Sequence, residues 1–406
     1  MKKRFRLSGT AILLGLFFIN SSVFAEQFIY RHQKGDTYRI LSMVNEEVYV
    51  NRVLHHRAEI LNRIAVEVTG TKDGGIGTHK AVFLTAEKAV DVTGVRQSFQ
   101  WSREYNSVFD RNSRGELTID KQYYMPVVRN VPVFPDKNLA EGETWTAEGH
   151  EVHDFRDGFG IAEPYRIPFN ANYTYLGKRE WKGKSYPAFS VSYRIYSEPP
   201  RVSGNVWPVR IMGASDQTVF WDPEFGQPAA YYEYFRMIFE LSNGLTYEYR
   251  GNAQAEIVES VRMDKDQMAK DIKGDIDRLG IADTSVRIVD EGIAISLEDI
   301  QFQPDSAILL RPEQDKLDKI AEILKRYPDR DILVGGHTAL AGTYEGRQTL
   351  SRERASVVAE YLIGKQVRSP DRVVVRGYGA DKPVADNRTE AGMKKNRRVE
   401  ITILEN

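Results

Sequence analysis

The sequence predicts two fold classes in one chain: an antiparallel β-rich region over residues 26–261 and a C-terminal α+β sandwich over 281–406, with helices on one face of a mixed sheet. Three observations predict this. Alternating apolar and polar residues dominate up to about Val261. Helical spacing takes over between Met263 and Leu279, and a strand–helix rhythm then runs to the end. At about 150 residues per domain, 406 residues supply two or three cores. Ordinary apolar (41%) and charged (28%) contents exclude a disordered tail, a collagen-like fibre and a multi-pass helical membrane protein.

The chain starts with Lys2, Lys3, Arg4 and Arg6, followed by an apolar stretch from Leu7 to Ile19 and by Val23-Phe24-Ala25. A cleavable secretory signal over residues 1–25 is expected, because about 13 apolar residues fall short of the ~20 that span a bilayer. Losing those four basic residues moves the formal charge from -1 to -5. No segment has the basic excess that duplex nucleic acid demands, so no nucleic-acid partner is expected. Cys is absent, which excludes disulfides, thiolate catalysis and a lipidated N-terminus. The expected address is the periplasm of a bacterial envelope, next to the cell wall or outer membrane.

In the β region, Leu245, Tyr247 and Tyr249 alternate with polar residues, and Phe235, Met237, Phe239 and Leu241 share a face. Ser242-Asn243-Gly244 reads as the hairpin turn between these runs, and Asp222-Pro223-Glu224-Phe225-Gly226 as the turn that opens the earlier one. Trp181-Lys182-Gly183-Lys184 and Thr71-Lys72-Asp73-Gly74-Gly75 read as further turns. Pro126, Pro132 and Pro135 mark a boundary between a module at 26–135 and a second at 136–261, the alternative being one continuous β domain. A short echo favours two modules: Lys34-Gly35-Asp36-Thr37-Tyr38 returns as Glu141-Gly142-Glu143-Thr144-Trp145. Residues 262–280 read as a helical connector with Met268, Ile272, Ile276 and Leu279 on one stripe and Gly280 as its stop.

Beyond it, Val286–Val289 and Ile293–Leu297 flank a hairpin turn, and Pro312 starts a helix that Pro328 ends. Ile332–Gly335 is a short strand, and a second helix is expected after Leu350, with Ala355, Val358 and Leu362 inward. Arg372–Val375 and Val399–Ile403 complete the strands.

Here residues carry more than rhythm. Gly336-His337-Thr338, Gly342, Leu350-Ser351, Arg354-Ala355, Arg376-Gly377-Tyr378-Gly379 and Asn396-Arg397-Arg398-Val399-Glu400 occur in that order, with Phe302 and Asp305-Ser306 ahead of the first helix. This set closely resembles the OmpA-like peptidoglycan-binding domain. The resemblance implies a noncovalent grip on the peptidoglycan stem peptide, centred on the carboxylate and ammonium of diaminopimelate. It maps ligand positions onto Arg354, Thr338, Asp305, Arg397 and Asn396. A guanidinium suits the carboxylate because it donates two parallel hydrogen bonds.

Three positions depart from the family pattern. Ala339 stands where the family has Asp, Arg347 where it has Asn, and Met393 where it has Arg. Without the Asp, the ammonium loses its partner, so weakened or altered binding is expected, and Arg347 is expected to crowd the pocket. His337 is expected to hydrogen-bond the local backbone. The alternative function is a structural or protein-docking module that no longer binds peptidoglycan, while the β region takes a lipid or protein partner.

Other chemistry is thinner. His150 and His153 lack the spacing of a zinc-protease pair and face opposite sides of a strand, so no metal is expected and a solvated loop is the simpler reading. Gly74-Gly75-Ile76-Gly77 has no phosphate-loop context. The 21 Tyr suit a β core, a lipid cavity or an outer-membrane strand. A non-enzymatic envelope protein without cofactor is the predicted function, against an envelope hydrolase built on His150 and His153.

Overall fold

The computed structural model describes residues 25–91, 94–95, 98–201, 206–259, 263–298, 300 and 309–405. Residues 1–24 of the expected signal, as well as Phe302, Asp305 and Ser306, lie outside the described residues.

The β region contains β1 (Thr37–Val50), β2 (Val53–Lys72), β3 (Ile76–Asp91), β4 (Gly94–Val95), β5 (Phe99–Arg111), β6 (Leu117–Ile119), β7 (Val128–Arg129), β8 (Thr144–His153), a one-turn α1 (Arg156–Phe159), β9 (Tyr165–Trp181), β10 (Lys184–Ser197), β11 (Pro208–Asp222), β12 (Gln227–Leu241) and β13 (Thr246–Glu259). Neighbouring strands pair antiparallel. β1 pairs with β2 on one side and with β13 on the other, so the early and late strands share one continuous sheet. The expected turns at 71–75, 181–184, 222–226 and 242–244 all join paired strands.

The five-residue echo builds the same turn twice. Gly35 and Gly142 both adopt positive φ, 94° and 85°. The Gly35 N–H donates to the Val68 carbonyl at 2.8 Å and the Val68 N–H to that of Asp36 at 2.9 Å. Gly142 and Tyr175 repeat this exchange at 2.7 Å and, through Glu143, at 2.9 Å. The acid side chain closes each turn, Asp36 accepting from the Gln33 N–H and Glu143 from that of Ala140, both at 3.0 Å.

The proline-rich stretch is packed down. Val133, Phe134 and Leu139 are buried, and Trp145 Nε1 donates to the Val133 carbonyl at 2.9 Å. The segment at 26–31 stitches distant loops together: Glu26 bridges Leu139, the Tyr30 N–H donates to Ser113 and the Arg31 N–H to Gly226. Phe28 on this segment stacks on Phe134 at 5.1 Å and meets Tyr175, Phe189 and Trp221 edge-on, inside the larger β core.

The C-terminal part contains α2 (Lys265–Leu279), β14 (Thr284–Val289), β15 (Gly292–Glu298), α3 (Arg311–Lys325), β16 (Ile332–Gly336), α4 (Tyr344–Gly364), β17 (Val373–Gly377), α5 (Glu390–Asn396) and β18 (Arg398–Leu404). The sheet runs β14–β15–β18–β16–β17, with β16 and β17 parallel and the other pairs antiparallel. Asp264 caps α2 by accepting from the Gln267 N–H, and Gly280 ends it in the left-handed conformation. Ile272 and Ile276 on α2 join the same core as Leu317, Ile320, Val358 and Leu362, so this helix packs on the C-terminal sheet. The second long helix begins at Tyr344, earlier than its apolar residues suggest, because Thr343 caps it by accepting from the Gly346 N–H at 3.1 Å. Helix α5, which shows no apolar periodicity, starts from an equivalent cap at Thr389.

Successive strand residues point to opposite faces. Ile332, Val334, Val373 and Val375 enter the core under the helices, whereas Leu333 and Val374 face away and pack with Leu61, Ala86 and Phe99 of the β region. β17 also pairs in parallel with β5, Val374 opposite Phe99 and Val375 opposite Gln100. A buried ion cluster adjoins this contact. Asp331 accepts from Arg63 at 2.6 Å and Arg372 at 2.7 Å, with Arg39 at 3.4 Å.

Candidate functional site

The motif residues meet where β16 and β17 end against the first half of α4. Glycine is required there by close approach: a Cβ on Gly336 would stand 1.9 Å from the Ser351 carbonyl oxygen, and one on Gly377 would stand 2.8 Å from the Gln348 carbonyl oxygen. The Ser351 hydroxyl donates to the Gln348 carbonyl and accepts from the Gly379 N–H, both at 2.9 Å. The Tyr378 N–H donates to Gly336, and the Thr338 N–H to Gly379 at 2.8 Å. These bonds fix the turn carrying Thr338 and Ala339 against α4.

His337 differs from expectation. Its side chain is buried and stacks on Tyr378 at 4.8 Å, and neither ring nitrogen has a hydrogen-bond partner among the described residues. Burial first, then Arg398, Lys382 and Arg287, lower its pKa to about 2. Glu400 is 3.7 Å away, but that carboxylate is engaged by Arg398 and Arg287. The ring is neutral packing at neutral pH.

Arg354 and Arg397 lie within electrostatic reach of each other. Burial lowers the Arg354 pKa, and the neighbouring Arg397 guanidinium lowers it further. Both side chains are half-buried, Arg354 on α4 and Arg397 directly after α5. Arg398, the first residue of β18, is buried against Glu400 at 2.6 Å and the Lys382 carbonyl at 3.0 Å.

Asn396 lies inside the domain. It is completely buried, its carbonyl accepts from the Val384 and Ala385 N–H groups, and its amide donates to the Ala385 carbonyl and to Asn387. It therefore positions the 384–387 loop. Asn387 in turn accepts from the Leu340 N–H at 3.1 Å, which holds the chain just after Ala339. Arg347 does not need to crowd a pocket: its Nη1 donates back to the Gly342 carbonyl at 2.6 Å, and its guanidinium lies 5.9 Å from the Tyr344 ring. Thr338 is buried with its hydroxyl unpartnered among the described residues, Ala339 is buried, and Met393 is half-buried on α5.

Sequence reasoning missed Asn387 and the Gln348–Asp381 hydrogen bond of 2.9 Å, because neither residue carries a pattern of its own. It also misread the setting of His150. That residue lies buried in β8 within 3.2 Å of Arg166, while His153 bonds Glu151 at 2.8 Å.

The family model for OmpA matches residues 301–397. This part of the chain is an OmpA-family domain. No family model matches the N-terminal region. Outer membrane porin F of Pseudomonas fluorescens is 36% identical over 105 residues, covering 26% of this chain and 32% of that protein. The peptidoglycan-binding protein ArfA of Mycobacterium bovis is 36% identical over 104 residues, covering the same shares of each chain. The chain thus spans about a third of the length of these relatives. Among solved structures, the OmpA-like domain is similar to an outer membrane protein from Borrelia burgdorferi, at 36% identity, 30% of this chain, 96% of that chain and a TM-score of 0.25. The peptidoglycan-associated lipoprotein from Burkholderia pseudomallei is 31% identical over 26% of this chain and 88% of its own, with a TM-score of 0.24.

Proposed function

We propose that this chain is a non-enzymatic cell-envelope protein whose OmpA-like domain associates with the cell wall through Arg354, Arg397 and the Thr338–Ala339 turn. The observation that carries this reading is that the Arg354 and Arg397 charges lie within electrostatic reach of each other in a domain with Ala339 where the family has an acid. Such a site favours a carboxylate, and it gives an adjacent ammonium no partner at position 339. Binding to the diaminopimelate zwitterion is weakened accordingly, and carboxylate-rich stem peptides are preferred. The β region and this domain act as one body, since the sheet of the domain packs on the β region through Leu333, Val374 and Asp331. In support, relatives of the domain are named as peptidoglycan-binding or peptidoglycan-associated. Export to the periplasm is part of the proposal.

Co-sedimentation of the full chain with purified sacculi tests the reading. Wild type is expected to pellet in a salt-sensitive manner, and Arg354→Ala is expected to stay in the supernatant. Pelleting that is indifferent to Arg354→Ala and to Arg397→Ala contradicts it.

A further inference from the structure

A cavity of about 890 Å³ opens in the β region, lined by none of the C-terminal motif residues and bordered by the 34–38 turn. Its walls come from the 30–38 segment, the hairpin turn at 181–184 and the turn at 222–227, with Arg111 at the end of β5. The volume lies in the range of small-molecule sites, and Tyr30, Tyr38, Trp181, Tyr186 and Phe225 give it aromatic walls.

The charges divide unevenly. Lys182 is engaged by Glu256 and Lys184 by Asp222. Asp36 accepts from the Gln33 N–H, and Asp222 also accepts from the Glu224 N–H. Arg31 is spent on the carbonyls of Pro223 and Glu224. Glu224 sits on the exposed turn. Neither Arg31 nor Arg111 forms an ion pair among the described residues, but Arg31 is satisfied by those carbonyls, whereas the Arg111 Nε is shut off from solvent without a hydrogen-bond partner. Its guanidinium lies over the Tyr30 ring at 4.8 Å and 5.7 Å from Phe109.

The surroundings repeat the deficit. His32 Nε2 and His79 Nδ1 are buried without partners, and the His79 side chain is only 1% exposed. The two rings meet edge-on at 4.9 Å, and Gly77 leaves the room His32 occupies, since a Cβ there would stand 2.5 Å from its ring. Burial and Arg111 hold both imidazoles below their usual pKa, that of His79 at about 3, so they are neutral beside the cation. An arginine stays charged, and a partly desolvated cation without a counter-ion is costly. The free protein therefore carries a charge that a ligand can neutralise.

The geometry points to this cavity as a binding site for a small organic anion, its carboxylate or phosphate on Arg111 and its ring or chain along the Trp181–Tyr186 wall. The site is separate from the C-terminal one and does not depend on that reading.

Calorimetric titration of the full chain tests it with three probes: N-acetylmuramic acid, N-acetylglucosamine, which lacks the lactyl carboxylate, and inorganic phosphate. Binding of N-acetylmuramic acid or of phosphate identifies the anion as carboxylate or phosphate, and N-acetylglucosamine is expected to bind at least about tenfold more weakly than the anion that binds. Arg111→Met should lose on the order of tenfold or more in affinity without lowering the melting temperature, because it removes an uncompensated charge. Arg354→Ala should leave the titration unchanged. No binding of either anion, equal binding of the neutral sugar, or binding undiminished by Arg111→Met overturns the assignment. Should Arg111→Met unfold, Arg111→Lys decides: weaker binding in the folded variant upholds it, and unchanged binding overturns it.

Discussion

Two arginines from one sheet, Arg63 on β2 and Arg111 on β5 with β3 between them, are treated in opposite ways. At the contact with the OmpA-like domain, Arg63 is buried against Asp331 at 2.6 Å and also donates to the Asp371 carbonyl at 2.7 Å. At the end of β5, the Arg111 guanidinium lies over aromatic rings and forms no ion pair among the described residues. The first arrangement spends a carboxylate to hold two parts of the chain together, and the second withholds one. A buried cation that the fold satisfies is structural, whereas a half-buried one without an ion pair at a cavity is available to a ligand.

The largest expected effect breaks the satisfied side. Asp331→Ala leaves Arg63 buried without its carboxylate and removes partners from Arg39 and Arg372 as well. A loss on the order of 3–5 kcal/mol in unfolding free energy is expected by urea denaturation, while Asp331→Asn retains part of it through hydrogen bonding. An unchanged midpoint in Asp331→Ala means that the junction is not held by this cluster.

A smaller effect compares buried histidines in the two parts. His79 in the β region and His337 in the OmpA-like domain have folded pKa values of about 3 and about 2, well below the usual 6.5. Below 6.5 the unfolded chain takes up protons that the folded one refuses, so stability is complete above that pH and falls as the pH drops. From pH 7 to 5.5 each histidine should cost roughly 1 kcal/mol. His337→Gln and His79→Gln are each expected to flatten this dependence by one histidine's share, measured as urea midpoints at the two pH values. A variant with the full wild-type dependence removes that histidine from the account.

The two parts also differ in what their sequences disclose. In the OmpA-like domain, Gly336, Gly377 and Ser351 are dictated by backbone contacts under 3 Å, so packing leaves a spaced motif in the chain. The unbroken apolar runs Ile332–Val334 and Val373–Val375 also announce a sheet covered on both faces, although not what covers the second. Alternation in the β region reports only inside and outside. It cannot say that β1 pairs with both β2 and β13, nor that Arg111 meets His32 across some 80 positions, because those contacts depend on sheet order. Likewise, Asn396 reads as a motif residue, yet only its four hydrogen bonds show that it holds the 384–387 loop.

The central claim is that Ala339 leaves the C-terminal site with cations for a carboxylate and no acid at that turn for an ammonium. Titration of a diaminopimelate-containing stem peptide into the full chain tests it most directly, comparing wild type, Ala339→Asp and Ala339→Asp combined with Arg354→Ala. The account predicts weak wild-type binding, tightening on the order of 10- to 150-fold in Ala339→Asp, and loss of that gain when Arg354 is also removed, since the two groups hold opposite ends of one zwitterion. Wild-type binding as tight as that of Ala339→Asp, or binding indifferent to Arg354, would contradict it.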